Sequence, residues 1–144
     1  MEVRVKVQAA GAKRLLTGMK ARARDLRPAW SEIAERLQRS FMRQFQRGGD
    51  PTWQPLTPST IKRRRRGPGA GSPKVLRDTG LLMRSWGGGP GKIKEAKPHE
   101  LTVGTRVSYA AAHQFGRGVP IRAIHILDRD KAEAGRVIRK YIMG

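Results

Sequence analysis

Lys62-Arg63-Arg64-Arg65-Arg66 sets five cations in a row. Such a density of charge binds phosphate oxygens through charge-assisted hydrogen bonds and the release of condensed counterions. On a solvated loop the same run would serve solubility alone. Binding is the favoured reading because Lys13, Arg14, Lys20, Arg22, Arg24, Arg36, Arg39, Arg43 and Arg47 continue the excess along the preceding segments. Neither a helix-turn-helix spacing nor an aromatic stacking platform accompanies them, so contacts of this kind would position a nucleic acid without reading its sequence.

Other residues with chemical potential do not assemble into a site. Gly87-Gly88-Gly89-Pro90-Gly91-Lys92-Ile93 invites comparison with a phosphate-binding loop. Trp86 occupies the place of the required first glycine, however, and no Ser or Thr follows Lys92. Gly67, Gly69 and Gly71 follow no strand, which argues against a dinucleotide fingerprint. His99, His113 and His125 lack zinc-ligand spacing, so polar packing is the simpler role for them. Asp78, Asp128 and Asp130 could in principle serve a metal-dependent nuclease, but helix capping and turn formation explain them with fewer assumptions. With no nameable nucleophile, base or metal set, neither an enzyme nor a cofactor is expected.

The elements around these residues follow from periodicity. Val3, Val5 and Val7 alternate with polar neighbours, as in a half-buried strand. From Ala12 the period lengthens. Leu15, Leu16, Met19, Ala23 and Leu26, then Trp30, Ile33, Ala34, Leu37, Phe41 and Phe45, share one face of a helical arm. Pro28 predicts a break near Asp25 to Arg27, with Asp25 as a cap for the second helix, and Gly48-Gly49-Asp50-Pro51 ends it. Thr57-Pro58 opens a short helix through Ile61 toward Arg63 to Arg66. Gly80 to Trp86 reads as one or two helical turns or as a strand entry.

A hairpin pairs Ile93 to Ala96 with Leu101 to Thr105. A small helix from Tyr109 to Phe115 closes at Gly116. Asp128 or Asp130 caps a last helix with Ala134, Val137, Ile138, Tyr141 and Ile142 on one face. The predicted fold class is α+β: an N-terminal strand, a broken amphipathic helical arm, a small antiparallel sheet and a C-terminal helix, in one domain over 1–144 with a flexible basic loop at about 62–74.

Composition narrows the function classes. The chain has 31 Lys and Arg against 11 Asp and Glu, a formal charge of +20 that repels itself and invites a polyanion or an acidic protein surface. It has no cysteine, hence neither disulfides nor thiolate metal sites, which suits a reducing cytosol. No apolar run approaches the roughly 18 residues of a membrane span, and Met1-Glu2-Val3-Arg4 opens no signal sequence, so a soluble, unexported protein is expected. With hydrophobic content at only 38%, the core is expected to come from the two ends of the chain. The candidates for core or subunit interface are Trp53, Leu56, Leu82, Trp86, Tyr109, His113 and Phe115, because a small, highly charged subunit often completes its core against a neighbour.

Four of these patches also form an ordered series. Trp53-Gln54-Pro55-Leu56, Leu76-Arg77-Asp78-Thr79-Gly80-Leu81-Leu82, Val103-Gly104-Thr105 and Tyr109-Ala110-Ala111-Ala112-His113-Gln114-Phe115-Gly116 resemble the phage virion morphogenesis family, the tail-completion and neck proteins of tailed bacteriophages. The resemblance runs from about Phe41 to the C-terminus. It departs at Ile121-Arg122-Ala123-Ile124-His125-Ile126-Leu127, where family members usually carry an R-P-F-L-G-like stretch. The resemblance implies a structural virion protein of the head-tail junction, assembled in the host cytoplasm. Such a protein would complete or cap the tail, or line the neck, as a homo-oligomeric ring, a hexamer or dodecamer. Its partners would be neighbouring neck and tail proteins and the phage DNA in the conduit, with Lys62 to Arg66 facing DNA or an acidic neighbour. The alternative, independent of the resemblance, is a nucleic-acid-binding protein without sequence preference.

Overall fold

Ile33, Ala34, Leu37, Phe41 and Phe45 recur at three- and four-residue intervals, and the helix that carries them is the axis of the molecule. The computed structural model describes residues 9–64, 75–76 and 80–144. In chain order these form α1 (Ala9–Arg24), α2 (Arg27–Arg47), α3 (Pro58–Arg64), α4 (Leu81–Trp86), β1 (Lys92–Lys97), β2 (Glu100–Thr105), α5 (Ala110–Phe115) and α6 (Asp128–Met143). The predicted α+β class holds. The expected strand at Val3 to Val7 lies outside the described residues, as do Arg65, Arg66, Asp78, Thr79 and the rest of the expected loop from 65 to 74. Lys62, Arg63 and Arg64, where the expected loop and the expected short helix overlap, are helical, because α3 continues through them.

The two arm helices break where proline requires it. Pro28 sits in the first turn of α2, where its missing N–H has no helical partner to lose. Asp25 Oδ1 accepts the Arg27 N–H at 3.1 Å, and its carboxylate takes both guanidinium bonds of Arg27 at 2.8 Å. The joint is tied further by the Leu26 N–H on the Pro98 carbonyl at 2.8 Å, the Trp30 indole on the Lys97 carbonyl at 2.7 Å and the Tyr141 hydroxyl on the Asp25 carbonyl at 2.8 Å. The far end of α2 closes on Gly48, whose φ of 76° is the left-handed geometry that glycine accepts without strain.

The core differs from the expectation that both ends supply it. Its buried cluster centres on α2 and takes Trp53, Leu76, Leu82 and Ile124 from the middle of the chain, with Val137 from α6. Phe41 packs edge-on to Trp86 with ring centroids 5.1 Å apart, and Phe45 to Trp53 at 5.5 Å. On α1, Leu15 and Leu16 remain 48% and 61% exposed. The reason is geometric: α1 leans on α6 by its last turns, where Arg22 Nε reaches the Ile142 carbonyl at 2.7 Å, and its first half stands clear.

The hairpin pairs Lys92 with Thr105 through Lys97 with Glu100 around Pro98-His99. It is fastened to α4 by a hydroxyl chain in which Ser85 Oγ donates to the Leu82 carbonyl at 2.7 Å and lies 2.6 Å from Thr105 Oγ1. That oxygen also accepts the Val107 N–H at 3.1 Å, which gives the threonine of the Val103-Gly104-Thr105 motif its structural work.

The α1–α2 joint has a defined pH response. The Arg27 side-chain hydrogen bonds, then the Arg27 backbone N–H, hold the Asp25 carboxyl down at about 2. A depressed carboxyl contributes its contact above its unfolded value near 3.9 and loses it as pH falls through the folded value. A carbon-detected NMR titration of the Asp25 carboxyl should therefore show a midpoint near 2, and Asp25→Asn should loosen the joint at neutral pH. A midpoint at the ordinary aspartate value would refute the Arg27 contact.

Candidate functional site

Between α5 and α6 the chain runs through 121–127 outside any helix or strand and with no strand partner among the described residues, yet Arg122, Ala123 and Ile124 are buried. Buried backbone donors and acceptors must be satisfied somewhere. Here side chains do it. Gln114 gives its amide N–H to the Ile124 carbonyl at 2.9 Å and accepts the Ile124 N–H at 3.0 Å. Gln44 repeats the pair on the next residue, with Nε2 on the His125 carbonyl at 2.8 Å and Oε1 accepting the His125 N–H at 3.0 Å. Successive residues of an extended chain present these groups to opposite sides, so the two glutamines grip the segment from both edges, each imitating one rung of a β-ladder.

The other motif residues complete this clamp. The Trp53 indole N–H donates to the Ala123 carbonyl at 3.2 Å. Arg122 sends Nε and Nη2 back to the Gln54 carbonyl at 3.1 and 2.9 Å, and its own N–H donates to the His113 carbonyl at 2.8 Å. Asp130 ends the segment: its Oδ2 accepts both the Leu127 N–H and the buried Ser40 hydroxyl at 2.8 Å. Asp130 thus closes the start of α6 from inside the helix, while Leu127 occupies the cap position.

Around the clamp, α3, α5 and the turn at 119–120 enclose an open cleft of about 480 Å³. It brings together four of the sequence candidates, Leu56, Arg63, Tyr109 and His113, with Thr60 and Pro120 beside them. Trp53 and Leu82 lie in the core, and Trp86 is half-buried against it. Tyr109, at the rim of the cleft, and Phe115 are 44% and 65% exposed, and Ile121 and Ile126 are 66% and 52% exposed. Ile121 and Ile126 belong to the clamped segment, while Tyr109 and Phe115 lie at the two ends of α5, which Gln114 ties to it. The Arg117 guanidinium lies 5.5 Å from the Phe115 ring centre, and the Tyr109 and His113 rings meet edge-on.

The charges sort into two kinds. Arg27 is held by Asp25, and Arg36 by Glu32 at 2.9 Å and Glu133 at 3.5 Å, which raises the affinity of both guanidinium groups for their protons. Lys62 and Arg63 are exposed on α3, while Arg65 and Arg66 lie outside the described residues. Among the described residues no group of three or more His, Asp or Glu is placed to hold a metal ion, and no helix is long and apolar enough to cross a membrane.

Sequence reasoning missed Gln44, Gln114, Ser40 and Arg122. A signal existed for two of them, since Ser40 and Gln44 fall on the apolar face of α2 between Leu37 and Phe45. A polar side chain at such a position needs a buried partner. Gln114 and Arg122 gave no periodic signal, because their partners are backbone groups distant in sequence.

A model of the phage virion morphogenesis family matches residues 7–142 of the chain. No curated protein sequence and no solved structure matches it.

The clamp predicts unequal costs for two substitutions. Gln44→Ala removes both hydrogen bonds to the His125 backbone and should cost on the order of 3 kcal/mol, whereas Gln46→Ala, at an exposed position of the same helix, should cost at most about 0.5 kcal/mol. Urea unfolding measures both; equal costs would show that the amide pair does not hold the segment.

Proposed function

The chain belongs to the phage virion morphogenesis family, a family of bacteriophage virion assembly, and we propose that its part in that assembly is structural work at the head-tail junction. In this reading it completes or caps the tail, or lines the neck, as a subunit of a homo-oligomeric ring, a hexamer or dodecamer. The neighbours are the adjoining neck and tail proteins, and the genome passes through the ring.

One observation supports the ring above the others: Phe115, Ile121 and Ile126 are exposed on the end of α5 and on the following segment, which side-chain hydrogen bonds tie to α5 and α2. Large apolar residues on an immobile frame bind a partner without the entropy of ordering a loop. Aromatic residues with arginine nearby, as Phe115 has in Arg117, are the usual anchors of such contacts. A surface that meets a different surface of the next copy closes into a ring when its rotation does. The cleft holding Leu56, Tyr109 and His113 lies beside this stretch and suits the receiving side. Nothing in this scheme requires turnover.

Two experiments test the reading. An early stop codon in the gene, in its native phage, should yield filled heads separated from tails or tails of abnormal length by negative-stain electron microscopy. Normal joined particles would sink the junction role and favour a nucleic-acid-binding protein. For the ring, Phe115→Ser and Ile121→Ser should each weaken subunit association by about 2 kcal/mol, roughly thirtyfold, with circular dichroism unchanged. Sedimentation reads the assembly state, and a variant that assembles as the wild type does would remove that residue from the interface.

A further inference from the structure

From the sorting of charges on α2 we infer that Arg39, Arg43 and Arg47 form a contact surface for the phosphate backbone of double-stranded DNA. The inference deepens the junction reading and rests on it for the source of the DNA, the genome crossing the ring. The five-cation run at 62–66 is the more conspicuous feature of the sequence, but the structure presents a second set on a better foundation.

Three observations carry it. First, the positions at i, i+4 and i+8 put the three side chains on one exposed face of a 21-residue helix. At 1.5 Å of rise per residue they span about 12 Å, and one strand of B-form DNA carries a charge for roughly every 3.4 Å of that length. The row therefore spans the axial length of about four phosphates on one strand, enough for each of the three guanidinium groups to meet one. Second, these arginines are available. Arg27 and Arg36 are engaged by Asp25, Glu32 and Glu133, whereas Arg39, Arg43 and Arg47 make no ion pair among the described residues. Arg39 and Arg43 line, with Arg36 and Glu133, a shallow cleft of about 320 Å³ between α2 and α6, wide enough for phosphate oxygens. Third, the opposite face of the same helix buries Ile33, Leu37, Phe41 and Phe45. The guanidinium groups thus project from a helix whose other face is buried in the core, and their frame needs no ordering on binding.

Chemistry selects DNA over an acidic protein. A protein interface needs an apolar centre in which charged residues are depleted, and none of the large exposed hydrophobic residues lies on α2. Phosphate contacts need only cations and polar donors, and they position without reading bases. Glu32 and Glu35 place the acidic end of the face toward the start of α2, so the contact is confined to its second half.

The test uses the full-length protein and a 30-base-pair duplex of mixed sequence, with fluorescence anisotropy read between about 50 and 200 mM KCl. Arg39→Gln/Arg43→Gln/Arg47→Gln keeps helix propensity, and its circular dichroism should match the wild type. It should bind at least about tenfold more weakly, with the slope of log K against log salt shallower by about 2.7, the value for three phosphate contacts. Exchanging Lys62 to Arg66 for Gln should have the smaller effect. An unchanged slope in the α2 variant, or a loss that lies wholly with the 62–66 variant, overturns the assignment. So does an α2 variant that binds DNA normally but fails to restore joined particles to the early-stop phage, which would make the partner an acidic protein. Joined particles in the early-stop lysate itself would sink the junction reading instead, and leave the DNA result standing.

Discussion

A segment buried at its centre with no β-partner among the described residues is the constraint on which this molecule turns. Arg122, Ala123 and Ile124 are buried on the way from α5 to α6, and each N–H and C=O taken from water there needs a replacement. A third strand would be the ordinary solution, but the hairpin is committed to α4 and α2. Two glutamines supply single rungs instead. Because Gln44 lies on α2 and Gln114 on α5, pairing them with successive residues also fixes the distance between those helices. Trp53 and Arg122 add the segment after α2 to the same knot. A loss at any of these positions is felt by elements distant in sequence.

The clamp gives the recurrent residues physical meaning. In Trp53-Gln54-Pro55-Leu56, the indole reaches the Ala123 carbonyl, the Gln54 carbonyl receives Arg122, and Leu56 faces the cleft. In the stretch from Tyr109 to Gly116, Gln114 grips Ile124, the His113 carbonyl receives the Arg122 N–H, and Gly116 takes a φ of 72° to release the chain from α5. A Cβ on Gly116 would fall 2.6 Å from the Ile121 side chain, so the turn is also a close approach. Arg122 is the arginine of the stretch that departs from the R-P-F-L-G-like pattern. It reaches the Gln54 carbonyl with its guanidinium and the His113 carbonyl with its own N–H, so it ties this segment to both motifs.

Local signals in the sequence carried the elements well. The proline break, the Gly48 stop, the hairpin and the apolar face of α6 are all decided within a few residues and lie where periodicity and turn chemistry put them, except that the strands of the hairpin continue through Lys97 and Glu100 and leave only Pro98-His99 in the turn. What was not legible depends on contacts between distant residues. The apolar stripe of α1 reads like that of α2, yet Leu15 and Leu16 stay exposed because only the last turns of α1 meet α6. Among the site candidates, Trp53 and Tyr109 look alike as isolated aromatics, yet one is core and the other surface. The difference is whether a core helix passes overhead, and no local pattern encodes that. The glutamine clamp was hidden for the same reason, apart from the polar interruptions of the α2 stripe at Ser40 and Gln44.

A charge of +20 on a chain of 144 residues would oppose folding if it were concentrated in the interior, and the structure shows how it is distributed. Carboxylates are few, and they stand where geometry needs fixing: Asp25 at the break between α1 and α2, Asp130 at the start of α6, and Glu32 and Glu133 around Arg36 between α2 and α6. The ion pairs of Asp25, Glu32 and Glu133 are surface pairs that add little to stability singly, but they sit at junctions of elements and set an orientation, as buried Asp130 does by hydrogen bonds alone. Among the described residues the remaining cations other than Arg22 and Arg122 are exposed, where water and salt screen their repulsion. The fold therefore tolerates its charge without being stabilised by it. Since helix propensity would be served as well by Gln or Glu at those positions, the excess has no structural explanation inside the monomer, and its counterpart has to be sought in what the assembled protein touches.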